Sequence, residues 1–286
     1  MDTSTRPMIL ACSHPNSFFD ALVMGAYHPR RMHFLARGDA FKNQLAAKLL
    51  RMLNMIPIYR LSEGKENLDN NQHTFDECIE VFRNNGCVLI FSEGVCVNEW
   101  RLRPLKKGTA RLAWMCWEEE GVKNMIVQPV GLNYHSFTRL PKRVAVQFSP
   151  VIQSFDLDLD SPAIFYKDFN EHLAAKLEPL VLEAEHPLLK NKKSDVTGKM
   201  LLAVPALLGF LLHKPFYNAW RKFIWSKTKE GVFFDSVFFA SLLIVYPFLV
   251  LLVTIVVVMA TGSLAWWLLL LALPFTAWCY KQFKAV

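Results

Sequence analysis

Residues 236–260 carry no charged side chain and consist mainly of Phe, Leu, Ile and Val. A stretch of this length exceeds the roughly 20 residues that a helix needs to cross a hydrocarbon core of about 30 Å. Thr261, Gly262 and Ser263 supply a turn, and a second uncharged stretch, 264–280, follows at the short end of the spanning range. Trp266, Trp267, Trp278 and Tyr280 stand near its two ends, where an aromatic belt belongs. Lys222, Lys227 and Lys229 precede the pair, Lys281 and Lys284 follow it, and the turn carries no charge. That asymmetry predicts a hairpin with both ends cytoplasmic. Two long uncharged runs joined by a tight turn argue against buried core helices. The run 200–212 is also apolar, but it is shorter and contains Pro205 and Gly209. It reads as a re-entrant or interfacial helix, with the basic and aromatic residues 213–229 lying at the headgroups.

Up to about Lys193 the chain has the composition of an ordinary globular protein. Three parts are therefore expected: a cytosolic domain over 1–193, a re-entrant or interfacial amphipathic segment over 194–231, and a two-helix transmembrane hairpin over 232–286. Lys and Arg (32) outnumber Asp and Glu (25), for a net charge of +7. Beside a membrane segment, this excess favours an anionic lipid surface or a phosphate-bearing substrate. No Lys/Arg run interleaved with aromatics suggests a nucleic-acid groove, so no nucleic-acid partner is expected. The cysteines (Cys12, Cys78, Cys87, Cys96, Cys116 and Cys279) form no Cys-x-x-Cys pair. A reduced, cytosol-facing domain without structural zinc or disulfides is expected. The polar start of the chain has no apolar h-region, so no signal peptide is expected. The domain should then fold in the cytosol before the anchor emerges.

Within 1–193, apolar runs predict strands at 8–12, 56–60, 87–92, 125–132 and 143–148, and helical patterns fall at 17–25, 41–53, 74–84, 109–117 and 164–183. Their alternation predicts an α/β domain with its functional residues in loops at strand C-termini. His14 follows the first strand, with Asn16 or Ser17 placed to cap the first helix. A neutral imidazole can take a proton from an alcohol while a carboxylate, here Asp20, holds its other nitrogen. Alone, such a pair is more often a capping or core-edge histidine beside a surface acid. Arg60 ends the strand Met55-Ile56-Pro57-Ile58-Tyr59, and arginine suits phosphate recognition. Glu93 and Gly94 close the strand at 87–92, where a glycine allows backbone to approach a ligand and a carboxylate can orient a hydroxyl. The sequence Ile126-Val127-Gln128-Pro129-Val130-Gly131 is read as packing, or as shaping an acyl channel.

The ordered set His-Pro-Asn-Ser-Phe-Phe-Asp (14–20), Ile-Pro-Ile-Tyr-Arg (56–60), Phe-Ser-Glu-Gly (91–94) and Gln-Pro-Val-Gly (128–131) resembles the four blocks of the glycerolipid acyltransferases. These are the lysophosphatidic acid and glycerol-3-phosphate acyltransferases, and the resemblance covers roughly residues 8–150. It implies an acyltransferase domain with a mixed sheet flanked by helices, His14 as general base and Asp20 as its partner. It also implies that Arg60 binds the acceptor phosphate and that Glu93 and Gly94 contribute to acceptor binding. The first block is one residue longer than its commonest form. In this, and in Leu-Arg-Pro-Leu-Lys-Lys-Gly (102–108), the chain is similar to the branch containing fungal glycerol-3-phosphate/dihydroxyacetone-phosphate acyltransferases. Ser92 stands where proline is usual, and Val95 and Cys96 where many members carry Thr-Arg or a Ser. Arg37, Arg101, Arg103 and Lys107 are candidates to replace the missing arginine; each is equally at home on a solvated basic face.

The resemblance thus implies an integral membrane enzyme of phospholipid biosynthesis, its catalytic domain on the cytoplasmic side. It would move an acyl group from acyl-CoA or acyl-carrier protein to glycerol-3-phosphate or 1-acylglycerol-3-phosphate, without cofactor or metal. Backbone amides at the start of the first helix are candidates to hold the oxyanion. Three other readings stay open: acylation of another lysolipid such as a lyso-amino-acid lipid, a membrane-tethered hydrolase, and a non-catalytic lipid-binding protein. The hydrolase is disfavoured by the lack of a Gly-x-Ser-x-Gly elbow.

Overall fold

The computed structural model describes residues 4–59, 70–139, 142–157, 161–190, 196–228 and 231–284. Strands β1 (Met8–Cys12), β4 (Cys87–Phe91) and β5 (Ile126–Tyr134) are short continuous apolar runs, the pattern of parallel strands covered on both faces. Every residue of β1 and β5 is buried. With β2 (His33–Arg37), β3 (Met55–Ile58) and β6 (Val144–Phe148) they make one sheet in the order β3-β2-β4-β1-β5-β6. The first five strands are parallel. Backbone bonds from His135 to Arg143 and from Ser149 to Pro129 show β6 returning antiparallel beside β5. The sheet is therefore mixed.

Strand β2 is absent from the sequence reading. Its five residues, His-Phe-Leu-Ala-Arg, lie between basic neighbours and are only partly buried, so the apolar signal is weak. Helices α1 (Phe18–Tyr27), α2 (Gln44–Met52), α3 (Asn70–Arg83) and α4 (Gly108–Trp114) make the crossovers. Helix α5 (Pro162–Leu177) follows β6 and ends well before the predicted residue 183, because Pro179 cannot continue it. Phe75, Ile79 and Phe82 of α3, Leu112 of α4 and Phe165, Phe169, Leu173 and Leu177 of α5 form one apolar core with Ile9, Ala11, Val88 and Val127 of the sheet.

The chain forms two compact units, residues 1–133 with 144–184, and residues 134–143 with 185–286. The tip of the β5–β6 hairpin thus groups with the C-terminal residues, an arrangement that no linear division describes. In that second unit α6 (Val196–Thr228) is one helix through both the apolar run and the basic-aromatic stretch, despite Pro205 and Pro215. Its partner α8 (Leu269–Lys284) approaches closely at Gly209, where a Cβ would collide with the Thr276 carbonyl. His213 of α6 bonds the Leu273 carbonyl of α8 at 3.0 Å. The helix α7 (Phe234–Thr261) and the stretch Leu264–Phe283 are long and apolar enough to cross a membrane. Only 11% and 6% of their apolar windows are buried, whereas the core helix of a soluble protein is mostly buried. Lys142, from the hairpin tip, meets Asp235 in the first turn of α7 at 2.7 Å, both side chains about 95% covered (4% and 5% exposed).

Candidate active site

The sheet order makes the chain leave β1 toward one edge, to β2, and leave β4 toward the other, to β5. Between the C-terminal ends of β1 and β4 lies the switch point at which such sheets open a crevice. Cys12 pairs with Phe91 at the last rung, so the same register carried two residues further brings His14 beside Glu93. The His14 amide donates to Glu93 Oε1 at 2.7 Å, and the Arg103 amide donates to Oε2 at 3.2 Å. The carboxylate therefore ties the two loops together. Burial pushes the Glu93 carboxyl above its ordinary value, and the two amide donors oppose that rise.

The His14 Nδ1 lies 2.9 Å from Asp20 Oδ2. Asp20 is fully buried, whereas the His14 side chain keeps 13% of its surface. The same carboxylate oxygen accepts the Asn16 amide at 2.7 Å, which fixes it from the helix side. Asp20 sits in the first turn of α1, where an acid is favoured by the exposed amides and the helix dipole. Ser17 is at the N-cap but makes no side-chain cap bond, and its φ of 55° places it in the left-handed half of conformational space. A non-glycine residue there stores backbone strain where the loop bends into the helix. The imidazole is stacked on Phe91, with ring centroids 3.9 Å apart and planes at 11°. Nδ1 facing a carboxylate leaves Nε2 as the ring nitrogen available for proton exchange.

Cys96 lies on the same site. The Ser17 amide donates to its sulfur at 2.8 Å. A nitrogen of His14, an oxygen of Asp20 and Cys96 Sγ all fall within 4.8 Å of one another, the metal-capable trio among the described residues. His14 and Asp20 already bond one another, which suits a proton relay. The amides at the entry to α1 are largely committed, Asn16 to Asp20, Ser17 to Cys96, Phe19 to the Asn16 carbonyl and Asp20 to the Ser17 carbonyl. These four are therefore occupied by the fold.

The other sequence candidates are distributed unevenly. Gly94 adopts φ +68° in a tight turn closed by its amide on the Phe91 carbonyl, and a Cβ there would lie 2.8 Å from Lys106 Cγ. Arg103 joins the site through its backbone, and its guanidinium reaches Glu99 at 3.4 Å. Arg101 is exposed and pairs with Glu99 at 2.6 Å. Arg37 ends β2 and pairs with Asp39 at 3.1 Å. Lys107 is exposed at the start of α4. Arg60 lies outside the described residues. The stacking of Phe91 on His14 and the Asn16 amide on Asp20 were not foreseen from sequence: the one depends on strand register, the other on the fold of the loop. Phe18, Val95 and Trp100, neighbours in sequence of these loops, are exposed.

A buried carboxylate beside a partly exposed imidazole at a sheet switch point is an arrangement capable of acid–base chemistry. The family model named Acyltransferase matches residues 2–133, the segment that carries every one of these groups. Residues 2–133 are thus similar to acyltransferase domains. No relative was found among curated proteins. Among solved structures, the 1-acyl-sn-glycerophosphate (LPA) acyltransferase PlsC of Thermotoga maritima is similar at 15% identity. That match covers 60% of this chain and 67% of the other, with a TM-score of 0.38, too distant to assign a substrate.

Proposed function

We propose that this chain is a membrane-bound acyltransferase of phospholipid biosynthesis that moves a fatty acyl group from acyl-CoA or acyl-carrier protein to the hydroxyl of glycerol-3-phosphate or 1-acylglycerol-3-phosphate. The observation that carries this reading is the 2.9 Å contact between His14 Nδ1 and the fully buried Asp20, within the segment matched by the acyltransferase family. His14 Nε2 takes the proton of the acceptor hydroxyl, and the oxygen attacks the thioester carbonyl. The tetrahedral intermediate collapses with cleavage of the C–S bond, and the imidazolium returns its proton to the departing thiolate. Asp20 stabilises the imidazolium between the two transfers. The alcohol attacks directly, so neither an acyl-enzyme nor a cofactor enters this scheme.

Glu93 is assigned as a positioning residue, since both its oxygens accept backbone amides, those of His14 and Arg103. Arg103 is the best-placed cation for the acceptor phosphate: its amide is on Glu93, and its buried Nε makes no hydrogen bond. Arg60, Arg37 and Lys107 are further candidates, and Gly94 shapes the turn beside them. The exposed Phe18, Val95 and Trp100 suit acyl chains better than water. The two candidate spans support a bilayer-bound enzyme, and the lysines flanking them favour a cytoplasmic catalytic domain.

The test is acyl transfer by the purified full chain, given a labelled acyl-thioester with each acceptor in turn. Product is expected with a glycerol-phosphate acceptor, and His14→Ala should lower turnover by about 10²–10⁴-fold with the protein still folded in the membrane. Release of free fatty acid without any acceptor would mean a hydrolase. Product with only an amino-acid lysolipid would overturn the acceptor assignment, and near-normal transfer by His14→Ala the mechanism.

A further inference from the structure

Helix α2 has a face that the acyl-transfer chemistry does not use. Leu45, Leu49, Met52 and Leu53 recur at the i, i+4, i+7, i+8 spacing of one helical stripe, and they are 69%, 53%, 70% and 57% exposed. Ala46, Ala47 and Leu50 are the half-covered side, while no residue of the helix is fully buried. Four large apolar side chains left to water on three turns form a patch that soluble monomers rarely tolerate. The start of the helix is fixed within the chain, because the Asn43 side chain accepts the amides of Leu45 and Ala46 at 2.9 and 3.1 Å.

Charge identifies what covers the stripe. Lys42, Lys48 and Arg51 accompany it, and no acidic residue occurs between Asp39 and Glu63. Arg51 pairs with Glu77 of α3, while Lys48 is exposed one helical position to the side of Leu45 and Leu49. An apolar stripe bordered by lysine is the design of helices that lie in a membrane interface, the alkyl stem following the apolar surface and the ammonium reaching the headgroups. Two helices apt to cross a bilayer already bring that surface to the chain. We propose that α2 is a second, peripheral membrane contact that lies in the interface of a bilayer containing anionic lipid. This inference does not require the acyl-transfer reading to hold.

The test uses the full chain reconstituted into phosphatidylcholine vesicles with or without phosphatidylglycerol. The photocrosslinker p-benzoylphenylalanine is placed at Leu49, and in a second variant at Leu45, both exposed positions where a large apolar side chain needs no room in the core. The control position is Glu80, exposed on α3. After illumination, mass spectrometry should find lipid adducts several-fold more abundant at Leu49 and Leu45 than at Glu80, and more abundant again with phosphatidylglycerol present. Equal yields at all three positions would overturn the membrane contact. Adducts to a second copy of the chain or another protein would do the same. A yield indifferent to phosphatidylglycerol would overturn the preference for anionic lipid. The readout involves no turnover, so its outcome is separate from that of the activity assay.

Discussion

At the residue scale, one carboxylate sets the geometry of the proposed base and another sets its place. Asp20 orients the imidazole from beneath, while Glu93 holds the backbone on which the imidazole hangs. Burial raises the Glu93 pKa in the folded protein, which gives a stability consequence of definite sign. Between the ordinary glutamate value, about 4.3, and the raised folded value, the folded state holds more proton than the unfolded chain. Its stability must therefore fall as pH rises through that window. Glu93→Gln should lack this component, so thermal melts of variant and wild type should diverge as pH increases from about 4. Cys96 offers a second test. Burial pushes the Cys87 and Cys116 thiols up to about 12 and raises those of Cys12 and Cys78, so these four are poor nucleophiles. Cys96 is partly exposed beside His14. A maleimide should label Cys96 first and abolish acyl transfer, and Cys96→Ala should retain activity after the same treatment; peptide mapping and turnover check both.

At the element scale, what the sequence disclosed followed the strength of the local signal. Strands β1, β4 and β5 are buried on both faces, and their continuous apolar runs could be read directly. Strand β2 was hidden by its half-covered faces, and the adjacency of His14 and Glu93 by parallel register, which no local pattern encodes. The candidate pair was visible as residue types, His14 in the loop and Asp20 in the first turn of the helix that follows. The loop's details were not: Ser17 holds the N-cap position without a side-chain bond, and Asp20 instead takes the Asn16 amide. Pro205 and Gly209 suggested a short re-entrant or interfacial helix over 200–212, where α6 is continuous from Val196 to Thr228 and packs along α8. That packing is sensitive at Gly209. Gly209→Leu forces a side chain into the Thr276 backbone and should cost about 1–3 kcal/mol, seen as a lower melting temperature in detergent with the residue 4–190 region still folded by limited proteolysis.

At the scale of the whole molecule, the sequence pointed to a catalytic segment followed by an anchor; the acyltransferase match falls on residues 2–133, and the two helices long and apolar enough to cross a membrane fall after residue 233. The exchange of the hairpin tip into the C-terminal unit was not foreseen, because it depends on a contact between residues far apart in the chain. The buried Lys142–Asp235 pair lies within that unit, and removing one charge leaves the other buried without that counter-charge. Asp235→Ala should destabilise by about 3–5 kcal/mol, whereas Lys142→Met combined with Asp235→Leu should recover most of the loss. Unfolding in detergent measures both.

That ion pair also bears on how the protein is made. A ribosome delivers Lys142 well before Asp235, and at about 5–20 residues per second the lysine waits on the order of ten seconds for its counter-ion. The simple order in which the globular part is finished before the anchor appears therefore cannot be the whole account. Residues 134–143 acquire their final surroundings only after α7 has begun to emerge. Completion of the hairpin tip is thus tied in time to the synthesis of α7, one of the two candidate spans.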